Sequence, residues 1–140
     1  MTAREYLGQA YRLDQWINSK LRQVENLRSL TQKVTASFGR EPVSHTRNVT
    51  SLEDSIIRLM EGEEQINQQI DKMVNLKMDI AALIDHVRNE NYRLILEKRY
   101  LCFLSWDEIA TDMHYSSRWV RNVHERALEV VGKLLNERQN

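Results

Sequence analysis

The sequence predicts an all-α fold: a long N-terminal helical hairpin or coiled coil, followed by a C-terminal domain of three shorter helices. Three observations predict it. One Pro and four Gly among 140 residues leave few helix breakers. No run of β-branched residues alternates with period two. Apolar residues recur in alternating four- and three-residue steps through most of the first 88 positions, the period at which a helix lays one apolar stripe against a partner helix.

The first helix is expected over residues 3–30. Ala3, Leu7, Ala10, Asp14, Ile17, Leu21, Val24 and Arg28 keep the stripe, with Asp14 and Arg28 as its polar members. Tyr6, Leu13, Leu27 and Leu30 widen it. Thr2 suits the cap, with Glu5 three residues on as its capping-box partner. Residues 31–50 then read as a long loop, rich in Thr31, Thr35, Ser37, Ser44, Thr46 and Thr50 and holding Gly39 and Pro42. A loop of that length is partly disordered or orders against a partner.

The second helix is expected over 51–88, capped by Ser51 with Asp54 three residues on. Its seam is Leu52, Ile56, Leu59, Glu63, Ile66, Ile70, Met73, Lys77, Ile80, Ile84 and Val87. Such a helix would be roughly 55 Å long at ~1.5 Å per residue. It cannot bury its stripe alone, so the stripe packs on the first helix or on another chain. The residues expected to carry that coiled-coil or oligomer contact are Leu52, Ile56, Leu59, Ile66, Ile70, Met73, Ile80 and Ile84. Glu63 and Lys77 interrupt the seam. They read either as tolerated rim charges or as polar core positions that fix register or subunit number.

The formal net charge is zero but unevenly spread. Residues 1–50 carry eight Lys/Arg against four Asp/Glu, residues 51–87 three against eight, and residues 88–140 nine against eight. The first two segments are electrically complementary. The single cysteine, Cys102, excludes an internal disulfide, and its apolar run Tyr100–Leu104 predicts burial. His45, His86, His114 and His124 show no metal-ligand spacing, so no metal is expected. There is no Gly-rich phosphate loop and no nucleophile elbow. Glu61-Gly62-Glu63-Glu64 reads as a solvated face. No catalytic residue or cofactor is expected, and the protein reads as a non-enzyme. The N-terminus has no apolar signal core and no stretch nears the ~20 apolar residues of a membrane span, so no membrane association is expected.

Asn89-Glu90-Asn91 separates a coiled-coil region, 1–88, from a second domain, 89–140. Helices are expected over Tyr92–Leu101, Trp106–Met113 and from Ser117 to about Glu137. Ser105-Trp106-Asp107-Glu108 is a capping box. His114-Tyr115-Ser116 is a tight connection, and Ser116 suits the next cap. On the last helix Val120, Val123, Ala127, Val131 and Leu134 share one face. Arg118, Asn122 and Glu125 oppose it, flanked by Arg121 and Arg126. Short helix, tight turn and long helix form the pattern of a helix-turn-helix, whose second helix enters the major groove by its N-terminal residues. Arg grips guanine bidentately and Asn grips adenine. Ser105 and the free amides beside it suit a phosphate. Spacing alone leaves a second reading open, a generic helical bundle with a solvated charged face.

Resemblance adds to that pattern. Leu94–Leu101, Ser105–Ala110 and Tyr115–Leu128 resemble region four of bacterial sigma factors, about 40 residues in all. The frame Ser116…Val120-Arg121…Arg126-Ala127-Leu128 is similar to that family's recognition helix. The resemblance implies promoter binding and docking on RNA polymerase, with Ser117, Arg118, Arg121 and Asn122 at the DNA. Tyr6–Lys20 and Tyr100-Leu-Cys-Phe103 resemble a family of small phage and prophage proteins of Gram-positive bacteria, grouped with the ArpU/RinA-type regulators of phage late genes. That resemblance implies the cytoplasm of a bacterial host. Two positions depart from the sigma pattern. His114 stands where a turn Gly is usual, and must take the left-handed conformation. Trp119 replaces a polar position, and either packs at the edge of the apolar face or contacts DNA or polymerase. The other sigma regions are lacking.

The expectation is therefore a phage-type transcription regulator that binds double-stranded promoter DNA through Ser105, Ser116, Ser117, Arg118, Trp119, Arg121, Asn122 and Arg126. A homo-oligomer is expected, a dimer first, with RNA polymerase as a candidate second partner. The alternatives are an adaptor that docks on polymerase, and a DNA-packaging protein like a small terminase subunit.

Overall fold

The structure is a computed structural model that describes residues 1–40 and 46–139; the side chains of 38–40 and 46–49 lie outside the description. Among the described residues every element is helical. They are α1 (Ala3–Arg40), α2 (Thr46–Asp85), α3 (Glu90–Leu96) running into a π-helical turn (Glu97–Leu101), α4 (Trp106–Met113) and α5 (Ser117–Gln139). The fold class is all-α, as the breaker-poor, heptad-patterned sequence predicts.

α1 runs past its expected end and α2 starts before its expected beginning, so most of the loop expected at 31–50 is helix. Its threonines do not break the helix. Thr31 and Thr35 donate their hydroxyls to the carbonyls of Leu27 and Thr31, at 2.9 and 2.8 Å. The polar side chains bond to their own helix instead of competing with it. Ser55 does the same to Ser51, at 2.9 Å, so Ser51 lies inside α2 and is not its cap. Pro42 and Ser44 lie outside the described residues. Thr2 accepts the Glu5 amide at 3.2 Å and starts α1 as expected. At its far end α2 stops at Asp85, three residues early. His86 and Val87 donate to Leu83 and Ile84 at 3.2 and 3.0 Å, a 3₁₀-type tightening, and Asn89 then caps α3 through the Tyr92 amide at 3.1 Å.

The chain divides into two compact units, Met1–Gln15 with Asn75–Asn140, and Trp16–Val74. The division does not fall at residue 88, where the sequence places it. The ends of α1 and α2 supply core to the C-terminal helices: Leu7, Ala10, Ile80, Leu83, Ile84 and Val87 pack in one cluster with Leu96, Ala127, Leu128 and Val131. A second cluster, Ile95, Ile109, Ala110, Val120 and Val123, ties α3, α4 and α5 together.

The unit Trp16–Val74 is a pair of helices from one chain. Arg28 Nε meets Glu63 Oε1 at 2.7 Å, and a Cβ placed on Gly62 would stand 3.7 Å from Leu27 Cδ1. In the other unit Asp14 and Lys77 form a close ion pair. Arg28 and Glu63, 35 residues apart, join α1 to α2 within one unit, and Asp14 and Lys77, 63 apart, join them within the other. The polar interruptions of the two stripes are therefore each other's mates: Arg28 with Glu63, and Asp14 with Lys77. Matched charges at fixed positions disfavour a shifted register within the chain. The seam on α1 is turned slightly from the expected one. Leu13, Ile17, Leu27 and Val34 are half-buried and Val24 is buried, while Leu21 is 50% exposed.

Candidate functional site

The site is built on α4, the turn after it, and α5. Ser105 Oγ accepts the Glu108 amide at 3.2 Å, and Glu108 Oε1 accepts the Ser105 amide at 3.4 Å, completing the capping box. α4 ends on His114, whose φ of 61° and ψ of 38° place it in the left-handed region. Tyr115 donates to Ala110 at 3.1 Å and His114 to Thr111 at 3.3 Å, a Schellman closure with His where Gly is usual. Ser116 then caps α5, its Oγ accepting the Trp119 amide at 3.1 Å. Two caps and one αL residue fix the angle between α4 and α5.

The outward side of α5 presents Arg118, Arg121, Asn122, Glu125 and Arg126, all exposed. The remaining expected residues are differently placed. Ser117 is half-buried and donates its hydroxyl to Asp107 Oδ1 at 2.6 Å. Trp119 packs at the edge of the second cluster and stacks on Tyr115, with centroids 3.8 Å apart and planes at 20°. Ser105 is occupied by its cap. The Glu108 carboxylate lies on the Ser105 amide at the cap of α4, and Asp107, Glu108, Thr111, Asp112 and Leu104 line a shallow acidic hollow beside it. A phosphate would meet repulsion there. Leu52, Ile56, Leu59, Ile66, Ile70 and Met73 are half-buried on the seam, whereas Ile80 and Ile84 are fully buried in the chain's own core, out of reach of a partner.

Behind α5 lies a feature the sequence reading passed over. His124 is buried, its Nε2 2.8 Å from the Tyr100 hydroxyl and its ring edge-on to Trp106 at 4.5 Å. Burial pushes its pKa down to about 4, against a weaker upward pull from Glu125. Glu125 Oε1, 3.9 Å from Nδ1, favours the proton on Nδ1. The Tyr100 hydroxyl then donates to Nε2, and burial pushes its own pKa up. Arg99 covers the outer face of Trp106 at 4.4 Å and donates to the Leu104 carbonyl at 2.9 Å. His124 falls about 40° from Val120 at ~100° per residue, so its inward position was available from the helical wheel.

Cys102 is exposed, contrary to the burial expected of its run. The π-helical turn puts an extra residue into its helical cycle, Cys102 donating to Glu97 across five residues at 3.0 Å. Phe103 then takes φ 60°. Together these rotate the run out of α-helical phase.

No helix among the described residues is long and apolar enough to cross a membrane. No curated protein and no solved structure matches the chain. Residues 44–130, more than half of the chain, match the family described as "Protein of unknown function (DUF1492)", and the chain belongs to that family.

Proposed function

We propose that the protein is a transcription regulator of the phage type that reads double-stranded promoter DNA, with α4, its turn and α5 acting as a helix-turn-helix. The observation that carries this reading is the exposed group Arg118, Arg121, Asn122 and Arg126 on the first turns of a helix whose opposite face is anchored by Val120, Val123 and Ala127. Rigid donors of this kind suit base edges in a major groove: Arg118 and Arg121 for guanine, Asn122 for adenine, and Arg126 for a backbone phosphate. Ser116 and Ser117 stand at the start of the helix but are committed to the cap and to Asp107, so they position the reading residues. The protein acts by binding, without catalysis, in the cytoplasm of a bacterial host.

One observation favours a second reading. The acidic hollow of α4 repels phosphate and suits a basic protein surface, as expected of an adaptor docked on RNA polymerase. Gel shifts with promoter fragments from the host phage region separate the two. The double variant Arg118→Glu/Arg121→Glu should bind at least about 100-fold more weakly, the order expected when two groove contacts each worth ~1–3 kcal/mol are reversed. Unchanged DNA binding by that variant would remove α5 as the reader.

A further inference from the structure

The DNA-facing side of α5 carries two exposed carboxylates, Glu129 and, among the reading residues themselves, Glu125, where a carboxylate beside phosphate is unfavourable. The structure places a cation on it from the opposite end of the sequence: Arg4 Nη2 lies 2.6 Å from Glu125 Oε1. We propose that Arg4 sets the electrostatics of the reading face, cancelling Glu125, so that the first turn of α1 is part of the DNA-binding surface. This rests on the DNA-binding reading above.

The placement of Arg4 is built in. Leu7 and Ala10 are fully buried against Ala127, Leu128 and Val131, and Ala3 and Tyr6 pack on the same cluster. The first turns of α1 therefore share a core with α5, and Arg4, next to Ala3 in sequence, meets Glu125. The pair is too exposed to act through stability, with side chains 60% and 61% accessible. Its effect is on charge. Without Arg4, the face holding Arg118, Arg121 and Arg126 carries an uncompensated negative group within two turns of each. With Arg4, that charge is compensated, and both side chains remain open to solvent.

The test is a set of three variants, Arg4→Ala, Glu125→Gln and the double variant, measured by fluorescence anisotropy on the same promoter DNA at low and high salt. Arg4→Ala should weaken binding roughly three- to tenfold at low salt, Glu125→Gln should tighten it by a similar factor, and both effects should shrink as salt rises. The double variant should bind like the wild type although the ion pair is gone. If the pair were only a structural clamp, both single variants would weaken binding and the double would not recover. Weaker binding by Glu125→Gln, or no change with Arg4→Ala, would overturn the proposal. If the wild type itself shows no affinity, the reading beneath it fails instead.

Discussion

Ile66 and Ile70 share one heptad seam with Ile80 and Ile84, yet the first two are half-buried and the last two fully buried. The two compact units differ in the same way. Among the described residues every buried apolar side chain except Val24 belongs to Met1–Gln15 with Asn75–Asn140. Among its described residues Trp16–Val74 has two helices, and a helix pair can cover one face of each. In the other unit α3, α4 and α5 pack over the same stripe and turn it into core. Periodicity tells which face is apolar; the number of neighbouring elements decides how dry that face becomes.

The largest expected effect tests that difference directly. Ile84→Ala should cost about 3–4 kcal/mol, because it opens a cavity in a closed core, whereas Ile66→Ala should cost about 1–2 kcal/mol at a wet seam. Urea unfolding of the two variants checks this, and equal losses would break the comparison.

A second effect sharpens what closure does to a polar group. His124 binds its proton near pH 4 when folded and near 6.5 when unfolded. Above 6.5 neither state is protonated and stability is full. As pH falls toward 4 the unfolded state alone gains the proton, and about 2–3 kcal/mol should be lost. Proton NMR of the imidazole checks the cause: its resonance should not titrate between pH 7 and 5.5, and a midpoint near 6.5 would contradict the burial described.

The smallest effect is local. His114→Gly relieves a left-handed Cβ at the end of α4 and should stabilise by about 0.5–1 kcal/mol. A lower melting temperature in that variant would mean that the His114 ring itself contributes to the turn.

Much of this architecture was legible in the residues. Ser105 with Glu108, Ser116, Thr2 and the αL burden on His114 were each readable because capping and turn chemistry act within four or five positions. Asp14, Arg28, Glu63 and Lys77 were readable as anomalies. Their pairing was not, because one stripe does not reveal which helix faces it. Residues 31–50 misled because Thr and Ser favour loops on average, while Thr31 and Thr35 bond back to their own helix. Cys102 misled because a π-helical turn shifts the phase that the helical wheel assumes. On the candidate site, the outward group Arg118, Arg121, Asn122 and Arg126 followed from angle alone. Ser117 and Trp119 turned out committed to Asp107 and Tyr115. Arg4 had no local signal, since 121 residues separate it from Glu125.

Fluorescence anisotropy against promoter fragments at two salt concentrations decides whether α5 reads DNA. Binding should depend on sequence and weaken as salt rises, with a modest slope because residues 88–140 carry nine cationic against eight anionic side chains. Absence of binding at low salt would contradict it and leave the α4–turn–α5 unit as a protein-docking surface.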